Sequence, residues 1–283
     1  MLHDVDAFTR DGLTFDVRDH VPAAPAPGGP VAVLLHGFPQ DGSAFDDVAA
    51  LLAARGVRAL APDQRGYSPG ARPPGRRPYA LPELVADVRA LLDAAGVERA
   101  HVVGHDWGGS VAWAFADRHP GRTAALTVLG TPHPAALRHG LRRSGQALRS
   151  AYVLGFQVPW LPERALLAGG GAGLRRALTR SGLEPARAAR CAARMREPGA
   201  LRGALAWYRA LPAGRGGGTG PVRVPTTYLT GRRDPFFAGA SVEATRAHVD
   251  APFAHDDLDA DHWLPEHRAG DVAAAVLAHV AAG

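Results

Sequence analysis

The sequence predicts an α/β fold: a mostly parallel central sheet flanked by helices, with a block of helices inserted before the last strands. Three observations carry this expectation. Short continuous apolar runs alternate with helical patterns from residue 31 to residue 130, the alternation stops between about 135 and 212, and it resumes after 221. Strands that alternate with helices imply right-handed crossovers and therefore a parallel sheet.

VAVLLHG (31–37) is a buried-strand run ending in a glycine turn, and VRALAPD (57–63) is a second. Between them, SAFDDVAALLAARG has apolar residues at helical spacing and a stop at Gly56. LPELVADVRALLDAAG (81–96) reads as a helix closed by Gly96, AHVVGH (100–105) as a strand, SVAWAFADRHP (110–120) as a helix stopped by Pro120, and AALTVLG (124–130) as a strand. After TPHP (131–134) only helical patterns follow, rich in Arg, Ala and Leu. AGRGGGTGP (213–221) has five glycines and reads as a flexible connector. TTYLTG (226–231) returns to strand character and DVAAAVLAHV (271–280) is a terminal amphipathic helix. The expected organisation is a core from 1–134 and 221–283, with a helical cap and its connector at 135–220.

The bulk composition narrows the function. An apolar fraction of 46% with 21% charged residues is that of a globular enzyme, not a disordered chain. No apolar run reaches the length of a membrane span, so no membrane insertion is expected. MLHDVDAFTR carries acidic residues and no signal core. With Cys191 as the single cysteine, no intrachain disulfide can form, and a cytoplasmic setting is expected. The net charge of +5 could suggest nucleic acid, but all 32 basic residues are Arg, scattered in pairs at most, and the composition reads as GC-rich coding bias. A nucleic-acid footprint needs clustering as well as charge. The oligomeric state, monomer or homodimer, is left open.

The strongest chemical signal is Gly104-His105-Asp106-Trp107-Gly108, between a strand and a helix. This is the pattern of a nucleophile elbow, in which small residues permit a strained turn that presents the central side chain. An aspartate there can attack an sp³ carbon and form an ester without a base. The plain alternative is that Asp106 caps the next helix. The second signal is His36-Gly37-Phe38-Pro39 after the first strong strand, where the Phe38 N–H and the Trp107 N–H can converge on one oxyanion.

HGFPQDGSAF, DQRGYSPG, GHDWGG and the late DHW together resemble the epoxide hydrolase and haloalkane dehalogenase branch of the α/β-hydrolase superfamily. The resemblance covers about residues 30–134 and 221–283 and implies the α/β-hydrolase fold. It also implies the chain order nucleophile, acid, histidine, which falls here on Asp106, Asp234 in TGRRDPFF, and His262 in DADHWLPEHR. Asp256, Asp257, Asp259, Asp261, His255 and His267 lie near His262 and read as solvated charge on loops. One departure is Asp261, which stands where the family usually has a small residue, and the acidic cluster around it could alter the histidine.

The inserted block resembles that of epoxide hydrolases. Tyr152-Val-Leu-Gly-Phe156-Gln157-Val-Pro159 matches the family's first cap tyrosine and Trp207-Tyr208-Arg209 the second. The resemblance implies that Tyr152 and Tyr208 hydrogen-bond to the epoxide oxygen, a sensible acid role for a phenol facing a developing alkoxide. Phe38, Trp107, Phe156, Trp160 and Trp263 are the expected apolar walls, with core packing equally open for Trp160 and Trp263. The expected reaction is hydrolysis of a small apolar epoxide with water, requiring neither metal nor cofactor. A haloalkane dehalogenase shares the aspartate ester but tends to carry Asn where Phe38 stands. A non-catalytic ligand-binding protein on the same fold is the alternative from another class.

Overall fold

The computed structural model describes residues 4–211 and 219–283. Eight strands form one sheet: β1 (Ala7–Arg10), β2 (Leu13–His20), β3 (Val31–Leu35), β4 (Arg58–Pro62), β5 (Ala100–His105), β6 (Thr123–Leu129), β7 (Thr226–Gly231) and β8 (Phe253–Leu258). The order is β1-β2-β4-β3-β5-β6-β7-β8; β1–β2 and β2–β4 are antiparallel and every other pair is parallel. The strands β3 and β4 are buried at every position, as a sheet covered on both faces requires.

Helices cover the two faces. α1 (Asp46–Ala53) follows β3, with Asp46 and Asp47 in its first turn, where the helix dipole favours anions. α2 (Leu81–Ala94) has Pro82 in its first turn, buries Leu84, Val85, Val88, Leu91 and Leu92 at helical spacing, and ends before Gly96 at φ +65°. α3 (Trp107–Arg118) starts directly at the end of β5, three residues earlier than the apolar pattern suggests, because the elbow leaves no loop between them.

Between β6 and β7 the described residues hold helices and no named strand: α4 (Pro134–Arg143), α5 (Gln146–Arg149), α6 (Tyr152–Gln157), α7 (Leu161–Arg180), α8 (Pro185–Arg194) and α9 (Ala200–Ala210). α7 is two helical pieces separated by non-helical Ala168, Gly169, Gly170 and Gly171. Of the connector expected at 213–221, residues 213–218 lie outside the described residues. After β7 come α10 (Gly239–Glu243), α11 (Leu264–His267) and α12 (Ala269–Ala282).

Two parts of the sheet differ from the sequence reading. β1 and β2 form a hairpin whose turn, Asp11-Gly12, has both residues at positive φ, and whose Phe8 and Phe15 rings stack at 4.6 Å. His255, Asp256 and Asp257 lie on strand β8 and not on a loop. Their side chains are nevertheless exposed, since β8 is the edge strand, and charged residues there discourage further strand pairing. Thr230 holds them in register, its hydroxyl meeting His255 Nε2 and Asp257 Oδ1 at 2.9 Å each.

Candidate active site

The elbow is built by close approach. Asp106 has φ +51° and ψ −118°, a strained conformation for a residue other than glycine, and its side chain makes no capping bond to α3. The helix-capping reading therefore fails. A Cβ on Gly108 would lie 2.0 Å from the Leu35 carbonyl oxygen, and one on Gly37 2.3 Å from the Asp106 Cβ. Only glycine at both positions lets the β3 loop and the elbow meet. Thr131 secures the turn by donating its hydroxyl to the Asp106 carbonyl at 2.7 Å.

The loop after β3 is fixed by a buried histidine. His36 Nε2 accepts the Gln64 N–H at 3.1 Å, while Nδ1 faces the Gly37 carbonyl at 3.0 Å, which defines the Nδ1–H tautomer. Held this way, the Phe38 N–H donates to Asp106 Oδ1 at 2.8 Å, and the Trp107 N–H lies beside the carboxylate. Burial raises the Asp106 carboxyl above its ordinary range; the nearby His262 and the two N–H donors oppose that rise.

Asp234, in the turn after β7, presents Oδ2 to His262 Nδ1 at 2.7 Å and accepts the Phe236 N–H on Oδ1 at 2.7 Å. His262 Nε2 lies 3.9 Å from Asp106 Oδ2, beyond hydrogen-bond reach. Burial pulls the imidazole down, but the Asp234 carboxylate, aided by Asp106, leaves it above its usual value. None of the acidic residues from Asp256 to Asp261 is among these influences. Asp261 instead accepts the Trp263 N–H at 3.0 Å and faces His267 Nδ1 at 2.9 Å, and Asp259 pairs with Arg233.

The two tyrosines stand over the same carboxylate. Tyr208, on α9, is buried with its ring 5.0 Å from Trp107 and 5.4 Å from Phe38. Tyr152 opens α6 and is 39% exposed overall, with its ring 6.1 Å from that of Tyr208. Burial raises both phenols, and the Asp106 carboxylate adds to it, so both are fully protonated donors at neutral pH. The stretches carrying them are tied to each other. Gln157 donates to the Tyr208 carbonyl at 2.8 Å, and Arg209 donates to the Phe156 carbonyl at 2.9 Å while gripping Glu163 with two bonds.

A cavity of about 620 Å³ opens beside these groups, lined by Asp106, Trp107, Tyr152 and Tyr208 together with Leu137 and Phe237 among others. Of the expected walls only Trp107 lines it. Phe38 and Phe156 pack around the Tyr208 ring, at 5.4 and 4.9 Å. Trp160 is 64% exposed at a left-handed φ, outside the lining. Trp263 is core: its indole N–H donates to the Ser181 carbonyl and its ring backs His262 at 5.2 Å. Trp207, whose N–H donates to the Arg65 carbonyl at 2.7 Å, and Phe237 are walls that the sequence reading missed, because no pattern marks which face of α9 or of the Asp234 turn will meet the cavity. Among the described residues no cluster of His, Cys, Asp or Glu could hold a metal ion, and no helix is long and apolar enough to cross a membrane.

A carboxylate on a strained strand-to-helix turn, faced by a histidine that leans on a second carboxylate, is hydrolase geometry on a doubly covered parallel sheet. The chain belongs to the alpha/beta hydrolase fold family, whose model matches residues 30–268. It is 32% identical to epoxide hydrolase A of Mycobacterium tuberculosis, over 93% of this chain and 94% of that one. It is also 32% identical to the AB hydrolase superfamily protein YfhM of Bacillus subtilis, over 92% and 93%. Among solved structures, one of the novel epoxide hydrolases from metagenomes of hot environments matches with a TM-score of 0.83 at 26% identity, covering 100% of both chains.

Proposed function

We propose that this protein hydrolyses an epoxide to a vicinal diol through a covalent ester on Asp106, with 135–220 serving as a cap that carries the acid groups. The observation that carries the reading is the pairing of an elbow carboxylate with two phenol hydroxyls across one apolar cavity. The single cysteine, Cys191, supports a cytoplasmic setting.

In the first half-reaction Tyr152 and Tyr208 donate to the ring oxygen while Asp106 Oδ2 attacks a ring carbon; the C–O bond breaks and the alkoxide takes a proton from a tyrosine. In the second, His262 removes a proton from water, the hydroxide adds to the ester carbonyl carbon, and the Phe38 and Trp107 N–H groups hold the oxyanion. Collapse expels the diol oxygen as an alkoxide, which takes the proton of the newly formed carboxyl and so restores the carboxylate, and the proton held by His262 returns through solvent to the tyrosinate. The 3.9 Å separation suits this division, since His262 does not tie up the nucleophile in the first step. Ester hydrolysis needs neutral His262, so its rate should climb with pH through a midpoint above 6.5, the ordinary imidazole value, because the folded protein favours the charged ring.

The test is a single turnover in ¹⁸O-water with enzyme in excess over a terminal epoxide. The expected product is unlabelled diol, with the heavy oxygen in the peptide containing Asp106. Fully labelled diol from the first turnover would mean direct water attack and would overturn the ester. Haloalkane turnover in the absence of any epoxide turnover would move the assignment to a dehalogenase.

A further inference from the structure

Behind the catalytic histidine lies a carboxyl that the proposed chemistry does not use. Glu266, on α11, is half-buried as a residue, but its Oε2 is enclosed and has no hydrogen-bond partner among the described residues. As the Gln40 side-chain amide is placed, its oxygen faces His105 and its Nε2 faces Glu266 Oε1. The other end of that amide is 3.0 Å from His105 Nδ1, and His105 Nε2 is 2.9 Å from the backbone carbonyl of His262. Glu266, Gln40 and His105 therefore form one chain that ends on the peptide of the base.

The donors and acceptors in this chain admit two protonation patterns. The His262 carbonyl only accepts, so His105 Nε2 must carry a proton. If the Gln40 oxygen faces His105, then Nδ1 must carry one too, which makes His105 an imidazolium and Glu266 a carboxylate. If the amide is turned over, its NH₂ donates to a bare Nδ1, and its oxygen faces Glu266, which must then be the donor and hence a neutral acid. An amide's two orientations are told apart only by such a network.

The surroundings select the second pattern. His105 is fully buried in the elbow, its ring 4.7 Å from that of His262 and 6.2 Å from that of Trp263, and the side-chain groups that bear on it are the histidines His262 and His36 and the neutral Gln40. A second positive charge beside His262 would be uncompensated. At the far end, the groups facing Glu266 are Gln40, His262, and Arg187 and Cys191 of α8. Arg187 is committed to Asp47 at 2.7 Å, with no hydrogen bond to Glu266. A carboxylate with a bare, enclosed Oε2 is costly there; a carboxylic acid is not. Burial correspondingly pushes the Glu266 carboxyl up to about 7.

We propose that Glu266 is kept as a neutral carboxylic acid that donates to Gln40, and that the chain Glu266–Gln40–His105 pins the backbone of His262, making Glu266 a positioning residue for the base. This rests on the reading of His262 as the base of ester hydrolysis. The chain acts on orientation only: the proton on Glu266 is a structural donor and is not passed to substrate.

Two measurements on the full-length protein test it. In ¹⁵N-histidine-labelled enzyme at pH 6, without substrate, long-range ¹⁵N NMR should show His105 with Nε2 protonated and Nδ1 bare; two protonated nitrogens would overturn the proposal. In rapid-mixing kinetics with a terminal epoxide, Glu266→Leu leaves the Gln40 oxygen without a donor and should slow ester hydrolysis on the order of tenfold relative to ester formation, the scale expected of a misplaced catalytic group. Glu266→Gln can still donate and should restore hydrolysis to within about threefold, while removing the ionisation near pH 7 from its pH profile. An unchanged ratio of the two steps in the Leu variant, or a Gln variant as slow as the Leu one, would overturn it. Should the Leu variant not fold, the Gln variant and the NMR spectrum decide. Because the NMR result needs no substrate, a failure of the epoxide assignment and a failure of this inference are distinguishable.

Discussion

The two walls of the candidate active-site cavity are held in different ways. On the sheet side, Asp106 and Asp234 are fixed by backbone, through a strained elbow, glycines that leave no room for a Cβ, and N–H donors in the loops after β3 and β7, and His262 leans on Asp234. On the helical side, Tyr152 and Tyr208 are fixed by side chains, chiefly Gln157 and Arg209 reaching across from one helix to the other. Exposure divides the helical side itself. Tyr208 is as buried as His262, at 3% and 2%, whereas Tyr152 is 39% exposed on a block that also shows Leu148, Leu154 and Trp160 to solvent. The difference teaches that, on the proposed reading, the attacking carboxylate sits on an element set by backbone geometry, while the two phenols sit on helices joined to each other by side-chain bonds.

The largest expected effect breaks the rigid side. Asp106→Ala should abolish both ester formation and turnover, a loss on the order of 10⁴-fold or more in kcat measured with a terminal epoxide. His262→Gln should separate the halves: the protein still alkylates, and mass spectrometry finds the ester accumulating on the Asp106 peptide. Next come the tyrosines. Tyr152→Phe and Tyr208→Phe should each slow ester formation by about 10²–10⁴-fold, and a loss under about threefold in both would remove them from acid catalysis.

Smaller effects sharpen the comparison. Arg209→Leu removes one of the two ties between α6 and α9, leaving the Gln157 bond, and should lower kcat/KM by roughly tenfold while leaving the hydrolysis rate of a preformed ester unchanged. If both fall together, the helical side is not mechanically separate from the sheet side. The smallest effect is on stability. Glu266 binds its proton more tightly folded than unfolded, so the folded state holds more protons between the ordinary glutamate value of 4.5 and about 7. Stability should therefore fall as pH rises through that window, by about 3 kcal/mol from this group, and Glu266→Gln should flatten the slope in urea unfolding without abolishing it, since Asp106 and His262 are also raised.

Much of the sheet side was legible from residues alone. AHVVGH and TTYLTG coincide with β5 and β7 to the residue, because buried parallel strands are short apolar runs with clear stops. The elbow was legible because its glycines are demanded by atoms 2–3 Å away, a constraint the sequence must show. The hairpin at Asp11-Gly12 was overlooked although that dipeptide between alternating residues is a hairpin signal. β8 was not legible: FAHDDL, an exposed edge strand, carries neither an apolar run nor alternation. The walls were harder still. Trp160 and Trp263 have the composition of a pocket lining, but one is turned to solvent and the other backs His262, and only tertiary packing decides which aromatic faces the cavity.

The Phe38 N–H bond to Asp106 Oδ1 gives the carboxylate an isotopic memory. On the proposed ester route, with Oδ1 held before the substrate arrives, Oδ2 would attack, leave with the diol and be replaced from water, while Oδ1 would remain as ester carbonyl and oxyanion in turn. The two oxygens of one carboxylate would then have separate histories, one renewed at every turnover and one kept for the life of the molecule. After many turnovers in ¹⁸O-water the Asp106 peptide should carry one heavy oxygen and not two, so the mass of a single peptide would record whether that grip ever lets the carboxylate turn over.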